Sequence, residues 1–396
     1  MRGSILNCPG RLTILLLPVY IVYIMEINIT KPTLLLNSER VKRNIKRMAD
    51  KALISGVNFR PHFKTHQSVY IAEFFKEESV SSITVSSLDM AVYFSRAGWK
   101  DISVAFPVNI KEIETINRLA WSANLHLLVE SEETVSFLSN NLLFTVNIWI
   151  KIDVGSKRTG IDCRDFTAVK ELARQISSSD KLRLMGLLTH AGHSYKAAGK
   201  DEVKNIYRDM VNKLYDLKDK LRDEGYDDIM LSVGDTPTCS LVADLSEVDE
   251  IRPGNFVFYD VTQVLIGSCT EEDIAVALAC PVVAKHRDRM EIVVYGGAVH
   301  VSKDSVRLKD GTLIYGLTAF GNSSRVEDGW GRALKNSYVK SVSQEHGVIK
   351  LDKEYFDRIK IGDVIYILPV HSCLTANLMR SYTILNSGQV VDIRNV

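Results

Sequence analysis

The lysine near the end of Arg60-Pro61-His62-Phe63-Lys64-Thr65-His66 is the first residue in this chain placed for covalent chemistry. The apolar run from Val57 to Phe63 predicts a strand, so Lys64 falls where strand gives way to loop. An amine at such a point can hold a carbonyl cofactor as a Schiff base. The ordinary alternative is a solvated lysine whose stem covers apolar surface. Far along the chain, His371 and Cys373 stand two positions apart. On a strand that spacing puts both side chains on one face, where imidazole and thiolate can grip one metal ion. Two protein ligands are fewer than most zinc sites use, so the pair alone is weak ground for a metal. A soft thiolate favours zinc over manganese or magnesium.

The elements that must position these residues follow a repeating pattern. Short apolar runs occur at Val57 to Phe63, Ser82 to Ser86, Ile102 to Phe106, Leu125 to Val129, Val146 to Val154, Leu182 to Thr189, Ile229 to Val233 and Val248 to Ile251. Amphipathic stretches such as Lys111 to Ala123, Asp165 to Ser177 and Glu202 to Arg222 lie between them. Eight such strands separated by helices predict a parallel (β/α)8 barrel of the TIM type, because each crossover helix covers a strand buried on both faces. Chemistry in such barrels sits at the carboxyl ends of the strands. Those ends carry Lys64, Ser86-Ser87, Pro107, Glu130, Asp153 to Arg158, His190 to Tyr195, Gly234 to Thr238 and Arg252 to Asn255.

After Asp260 the texture changes to strands with polar turns and little helix, at Ala275 to Ala284, Met290 to Tyr295, Gly347 to Leu351, Asp363 to Leu368 and Thr383 to Leu385. The expected organisation is an apolar extension over residues 1–25, a barrel over 26–262 and a C-terminal β domain over 263–396. Residues 26–37 are free to join the β domain instead, since Thr33 to Leu36 reads as a strand.

At 396 residues the chain has apolar material for two cores, and 49 basic against 48 acidic residues leave no charge excess for nucleic acid or an anionic membrane. Six scattered cysteines without paired spacing read as reduced thiols of a cytoplasmic protein. The apolar stretch Leu12 to Met25, preceded by Arg2 and Arg11, is shorter than the ~20 residues that span a bilayer and is interrupted by Pro18. It reads either as a targeting segment or as an upstream extension with Met25 as the start.

Taken together, several motifs resemble the alanine-racemase-type (fold type III) pyridoxal phosphate enzymes, and within them the D-serine dehydratase and D-threonine aldolase branch. They are Arg-Pro-His-Phe-Lys-Thr-His (60–66), Asp-Val-Gly-Ser-Lys-Arg-Thr-Gly (153–160), Thr-His-Ala-Gly-His-Ser-Tyr (189–195), Ser-Val-Gly-Asp-Thr-Pro-Thr (232–238), Arg-Pro-Gly-Asn-Phe-Val-Phe-Tyr-Asp (252–260), Glu-His-Gly (345–347) and Pro-Val-His-Ser-Cys (369–373). The resemblance implies that Lys64 carries pyridoxal phosphate and, once released, takes the substrate Cα proton. Gly234, Thr236 and Thr238, with Gly254 and Asn255, would cradle its phosphate, the carboxylate of Asp235 pointing away. Arg158 would face the cofactor's phenolic oxygen, and His190 would stack on its ring. Either Arg252 or Tyr195 would meet the pyridine nitrogen; the plain alternative for Arg252 is an ion pair with Glu250 or Asp249. His371 and Cys373 would hold Zn2+, the His-x-Cys pair being like that of D-serine dehydratases, where aldolases resemble His-x-Asp. The implied activity is conversion of D-serine to pyruvate and ammonia by a homodimer. D-threonine aldolase and D-threo-3-hydroxyaspartate dehydratase are the near alternatives, and a non-catalytic pyridoxal phosphate carrier is the alternative of another class. His62, His66, His193, His300 and His346 have no distinguishing spacing, and Glu345-His346-Gly347 has no assignable task.

Overall fold

The computed structural model describes residues 27–321 and 329–394, with four two-residue strand pieces between Leu12 and Met25. The reading of residues 1–25 as a targeting or upstream extension lies outside the described residues, apart from pairing of Leu12–Thr13 with Ile24–Met25 and of Leu16–Leu17 with Tyr20–Ile21. Among the described residues no helix is long and apolar enough to cross a membrane, and the cysteines form no disulfide.

The chain divides into two compact units, Arg40–Asp273 and Ile274–Asp392, the second taking in the chain up to Glu39 and the first the residues from Ile393. In the first unit eight parallel strands run Asn58–Phe59, Ser82–Val85, Asp101–Pro107, Asn124–Val129, Val146–Asp153, Leu182–Leu188, Met230–Val233 and Glu250–Ile251. They neighbour one another in chain order, the eighth pairing the first. A parallel bridge between His62 and Thr84 closes first strand to second. The first strand is longer in effect than its two ladder residues, because Arg60 and His62 still donate their N–H groups to Ile251 and Pro253 carbonyls.

The crossover helices follow from their sequences. Lys200–Asp223 buries Val203, Tyr207, Met210, Val211, Leu214, Leu217 and Leu221, one stripe at three- and four-residue spacing. Ser87, Ser131 and Asp165 cap the helices Leu88–Arg96, Glu132–Asn141 and Phe166–Ser177, each accepting the N–H three residues on.

The barrel is filled, not hollow. Trp149, Leu128 and Leu188 form an apolar plug with Met185, Met230 and Ala105 against it. Beside it lies a buried polar layer that the hydrophobic pattern does not disclose. Glu250 accepts from Arg60 Nε at 2.6 Å, Asn58 Nδ2 at 2.7 Å and Ser232 Oγ at 2.7 Å. Arg60 also pairs with Asp101, and the Trp149 indole donates to His126 Nδ1 at 3.2 Å.

In the second unit nine strands form one mainly antiparallel sheet. The long strand Val276–His286 pairs with Val364–Pro369 and Thr33–Leu36 through its first half and with Glu291–Tyr295 through its second. That double use closes six strands into a ring, since Glu291–Tyr295 leads back through His346–Lys350, Tyr338–Val342 and Gly316–Ala319 to Val364–Pro369. Thr33–Leu36 is also hydrogen-bonded in parallel to Ser381–Ile384.

Candidate active site

Lys64 is exposed at the rim, one residue beyond the buried Phe63 and two beyond His62. Its backbone N–H donates to His62 Nδ1 at 3.3 Å, so that neutral ring carries its proton on Nε2. Gly254, at the end of the eighth strand, lies so close that a Cβ there would come within 2.9 Å of His62 Cβ and O. Any larger residue would push apart the two loops that frame the lysine.

Burial, then the charges of Lys64 and Arg252, with His190 and Arg158 beyond them, hold His62 well below the ordinary imidazole range. His190 is held down in the same way by burial and then by Lys64 and Arg158, against the opposing pull of its Nδ1 contact with the Gly234 carbonyl. The two rings are therefore neutral at physiological pH, and the barrel mouth draws its positive potential from Lys64, Arg158 and Arg252. Such a mouth suits an anionic ligand.

Arg158 is exposed on a loop fixed by two carboxylates. Asp153 accepts the N–H groups of Gly155 at 2.9 Å and Lys157 at 2.9 and 3.1 Å, and Glu130 accepts that of Gly160 at 2.5 Å. Gly160 has φ +109, and a Cβ there would come within 2.7 Å of the Asp153 backbone N. Arg252 is buried and tied into the barrel wall, donating from Nε to Ser232 Oγ at 2.7 Å and from Nη2 to the Thr189 carbonyl at 2.5 Å. Its ion pair with Glu250 is stretched to 4.0 Å and relayed through Ser232. Burial pulls Arg252 down to about 10, still protonated at neutrality.

Lys151 was not legible as a site residue. It sits in the middle of an apolar strand, 5% exposed, with the parity of Trp149 and Asp153, and so belongs to the inner face. Burial, then Arg252 and Arg158, lower its amine to about 7. The unfolded chain binds this proton up to the ordinary 10.5, so between the two values folding releases it and stability rises with pH. The unfolding free energy of the cofactor-free protein relative to Lys151→Met is expected to climb by up to about 1.4 kcal/mol per pH unit above about pH 7.5. Denaturant titrations at several pH values check this, and a flat difference would contradict a depressed amine.

At the ends of the seventh and eighth strands, Asp235 caps the helix Thr236–Leu241. Its carboxylate accepts from Thr238 N at 2.8 Å, Thr238 Oγ1 at 2.7 Å and Ser194 Oγ at 2.8 Å. Burial nonetheless pushes its carboxyl up. Thr238 thus has its N–H and hydroxyl on Asp235; Gly234, Thr236, Gly254 and Asn255 are the other residues expected at the phosphate. The Thr236 N–H donates to Tyr195 Oη at 3.2 Å, and Asn255 Nδ2 donates to Asp260 at 2.6 Å. A Cβ at Gly234 would meet Arg252 Cβ at 2.8 Å, so the seventh strand can approach the eighth only as glycine. The rings of His190 and Tyr195 lie 6.1 Å apart. His66 is a core residue, edge-on to Phe63 at 4.5 Å.

In the second unit the expected strand at His371 and Cys373 is a helix terminus. The strand ends at Pro369; His371 is the N-cap and Cys373 lies in the first turn of Ser372–Met379. Proline closes the ladder because it has no N–H, and Leu374 to Met379 are mostly good helix formers. The two residues still suit a metal ion. His371 Nδ1 lies 2.7 Å from Asp304 Oδ2, which fixes one ring nitrogen and leaves the other for a metal ion. Among the described residues, no three metal-ligating side chains converge within this chain.

Residues 36–261 match the model of the alanine racemase N-terminal domain. The chain belongs to the alanine-racemase-type family. Residues 275–385 match a putative serine dehydratase domain, which places this member in the D-serine dehydratase and D-threonine aldolase branch. It is similar to a D-serine dehydratase of Dictyostelium discoideum, 30% identical over 92% of this chain and 95% of the relative. It is also similar to a D-threo-3-hydroxyaspartate dehydratase of Delftia sp., 28% identical over 89% of this chain and 93% of the relative. The solved structure of the latter covers 93% of this chain and 99% of its own at a TM-score of 0.85. Other structures of that enzyme include a cysteine-to-alanine mutant in the metal-free form and a histidine-to-alanine mutant. The family implies pyridoxal phosphate as cofactor. Relatives named as dehydratases and aldolases make this alanine-racemase-type member an enzyme of lyase type, not a bare cofactor carrier.

Proposed function

We propose that the protein is a D-serine dehydratase, releasing pyruvate and ammonia with pyridoxal phosphate and zinc. The observation that carries this reading is the His371-x-Cys373 pair, held on a second unit that cofactor binding by the barrel would not by itself require. Its similarity to a D-serine dehydratase over nearly the whole chain supports it. So does the existence of a metal-free form of a cysteine mutant in the related hydroxyaspartate dehydratase.

The chain's residues divide the work. Lys64 holds the cofactor and, once released, takes the Cα proton from the D-face of the substrate. Gly234, Thr236, Thr238, Gly254 and Asn255 would receive the phosphate. Arg158 would face the phenolic oxygen of the bound cofactor, and His190, neutral, would lie against its ring. Arg252 or Tyr195 meets the pyridine nitrogen; a permanent cation there keeps that nitrogen unprotonated, which elimination of a β-hydroxyl tolerates because the charge departs with the leaving group. When bound, pyridoxal phosphate supplies the electron sink for charge developing at Cα. When held by His371 and Cys373, zinc supplies Lewis acidity toward the β-hydroxyl. The enamine that leaves hydrolyses to pyruvate and ammonia. By the family resemblance the working form is a homodimer, which sedimentation equilibrium checks.

The assay is a panel of D-serine, D-threonine and D-threo-3-hydroxyaspartate with metal-loaded holoenzyme. Pyruvate from D-serine at the highest kcat/KM is expected. Oxaloacetate as the dominant product would reassign the substrate to hydroxyaspartate, and glycine plus an aldehyde would make the enzyme an aldolase.

A further inference from the structure

Asp304 stands 67 positions before His371 in sequence, yet its Oδ2 lies 2.7 Å from His371 Nδ1. A carboxylate in that place accepts the ring N–H. The proton is then on Nδ1, and the lone pair of the neutral ring is on Nε2.

The reach of Asp304 is built by the surrounding backbone. The short helix Ala298–Val301 ends at Ser302, a buried serine at φ +78, a conformation that L-residues rarely adopt. The Ser302 hydroxyl accepts the Asp304 N–H at 3.1 Å, fixing the turn that follows. A second tie joins the same two segments, since the buried Thr375 hydroxyl lies 3.2 Å from both the Val301 and His371 carbonyls.

The start of this segment is also held. The Gly296 N–H donates to the Glu345 carbonyl at 2.9 Å, and a Cβ at Gly347 would come within 2.6 Å of the Gly296 carbonyl. A Cβ at Gly297 would come within 2.4 Å of the Ser343 carbonyl. Glu345-His346-Gly347, which had no task in the sequence, thereby seats the turn from which the Asp304 segment departs. The side chains of Asp304 and His371 are 46% and 40% exposed. A pair so open to solvent contributes little to stability. Strain at Ser302 and two separate braces are more than such a contribution would call for, and they suit the fixing of a ring.

We propose that Asp304 is a positioning residue that sets the tautomer and orientation of His371, presenting Nε2 to a metal ion. This rests on the reading of His371 and Cys373 as the zinc pair, and the test separates the two. Zinc content and zinc affinity, the latter by competition with a chromophoric chelator, are measured for the parent, Asp304→Ala, Asp304→Asn and His371→Ala. Asp304→Ala is expected to bind zinc about 10- to 100-fold more weakly. Asp304→Asn, nearly isosteric and keeping an acceptor oxygen, is expected to recover part of that loss. If Asp304→Ala binds within twofold of the parent while His371→Ala loses zinc, the positioning role is wrong and the metal pair stands. If His371→Ala keeps the parent's zinc affinity, the metal pair is wrong and the role of Asp304 falls with it.

Discussion

Replacing Lys64 with alanine should abolish both covalent cofactor attachment and turnover, with kcat/KM for D-serine falling by roughly 10⁴-fold or more. Attachment is read by borohydride reduction of the cofactor-loaded protein, followed by mapping of the labelled peptide to residues 60–66. The buried cations near the mouth are poorly placed to replace it. Arg252 has Nε and Nη2 bound to Ser232 and Thr189, and a guanidinium is not a nucleophile near neutrality. Lys151, its amine lowered to about 7 by burial, is the competitor to watch, because the neutral amine is the nucleophilic form. It is, however, 5% exposed, and its Nζ donates to the Ile152 carbonyl at 3.2 Å. A label found at Lys151 in place of Lys64 would overturn the assignment.

The second large effect concerns the metal pair. His371→Ala and Cys373→Ala should each lose zinc on purification and lower kcat for D-serine by about 100-fold or more. Lewis-acid stabilisation of departing hydroxide is worth several kcal/mol, and each 1.36 kcal/mol is tenfold in rate. Cofactor absorbance and binding should be nearly unchanged, since the phosphate candidates and Lys64 all belong to the barrel. Chelation of the parent should reproduce the loss, and added zinc should reverse it. Full dehydration by chelated, metal-free protein would remove zinc from the reaction and leave the barrel's part intact. Loss of cofactor together with metal would instead mean that the two groups are not held independently.

The barrel was legible because short apolar runs alternate with longer stretches carrying a one-sided stripe, so length and period together separate strand from helix. The position of Lys64 at the rim was legible for a related reason, as a charge directly after such a run. What stayed hidden lies where the pattern is locally broken. Lys151, Arg60 and Glu250 are charges within or beside strands, and in sequence an inward charge cannot be told from an outward one when both faces are covered. The helix at His371 was missed because Pro-Val-His-Ser-Cys continues an apolar strand and only the residues after it favour a helix. Asp304 gave no signal, since its partner is 67 positions away and the turn that delivers it depends on Ser302 accepting a rare backbone angle. The engagement of Thr238 with Asp235 was hidden too, because a hydroxyl in a glycine-rich turn reads first as a phosphate donor.

The pairing of Thr33–Leu36 with Val276–Ala279 has a cost during synthesis. This inner strand of the sheet leaves the ribosome roughly 240 residues ahead of Val276–Ala279, a wait of about 12 to 50 seconds at ordinary elongation rates. Through that interval three adjacent leucines stand unmatched while the intervening domain has time to form. Nascent chains of this protein should therefore need a holding chaperone over this segment, and slowing translation should lengthen that dependence.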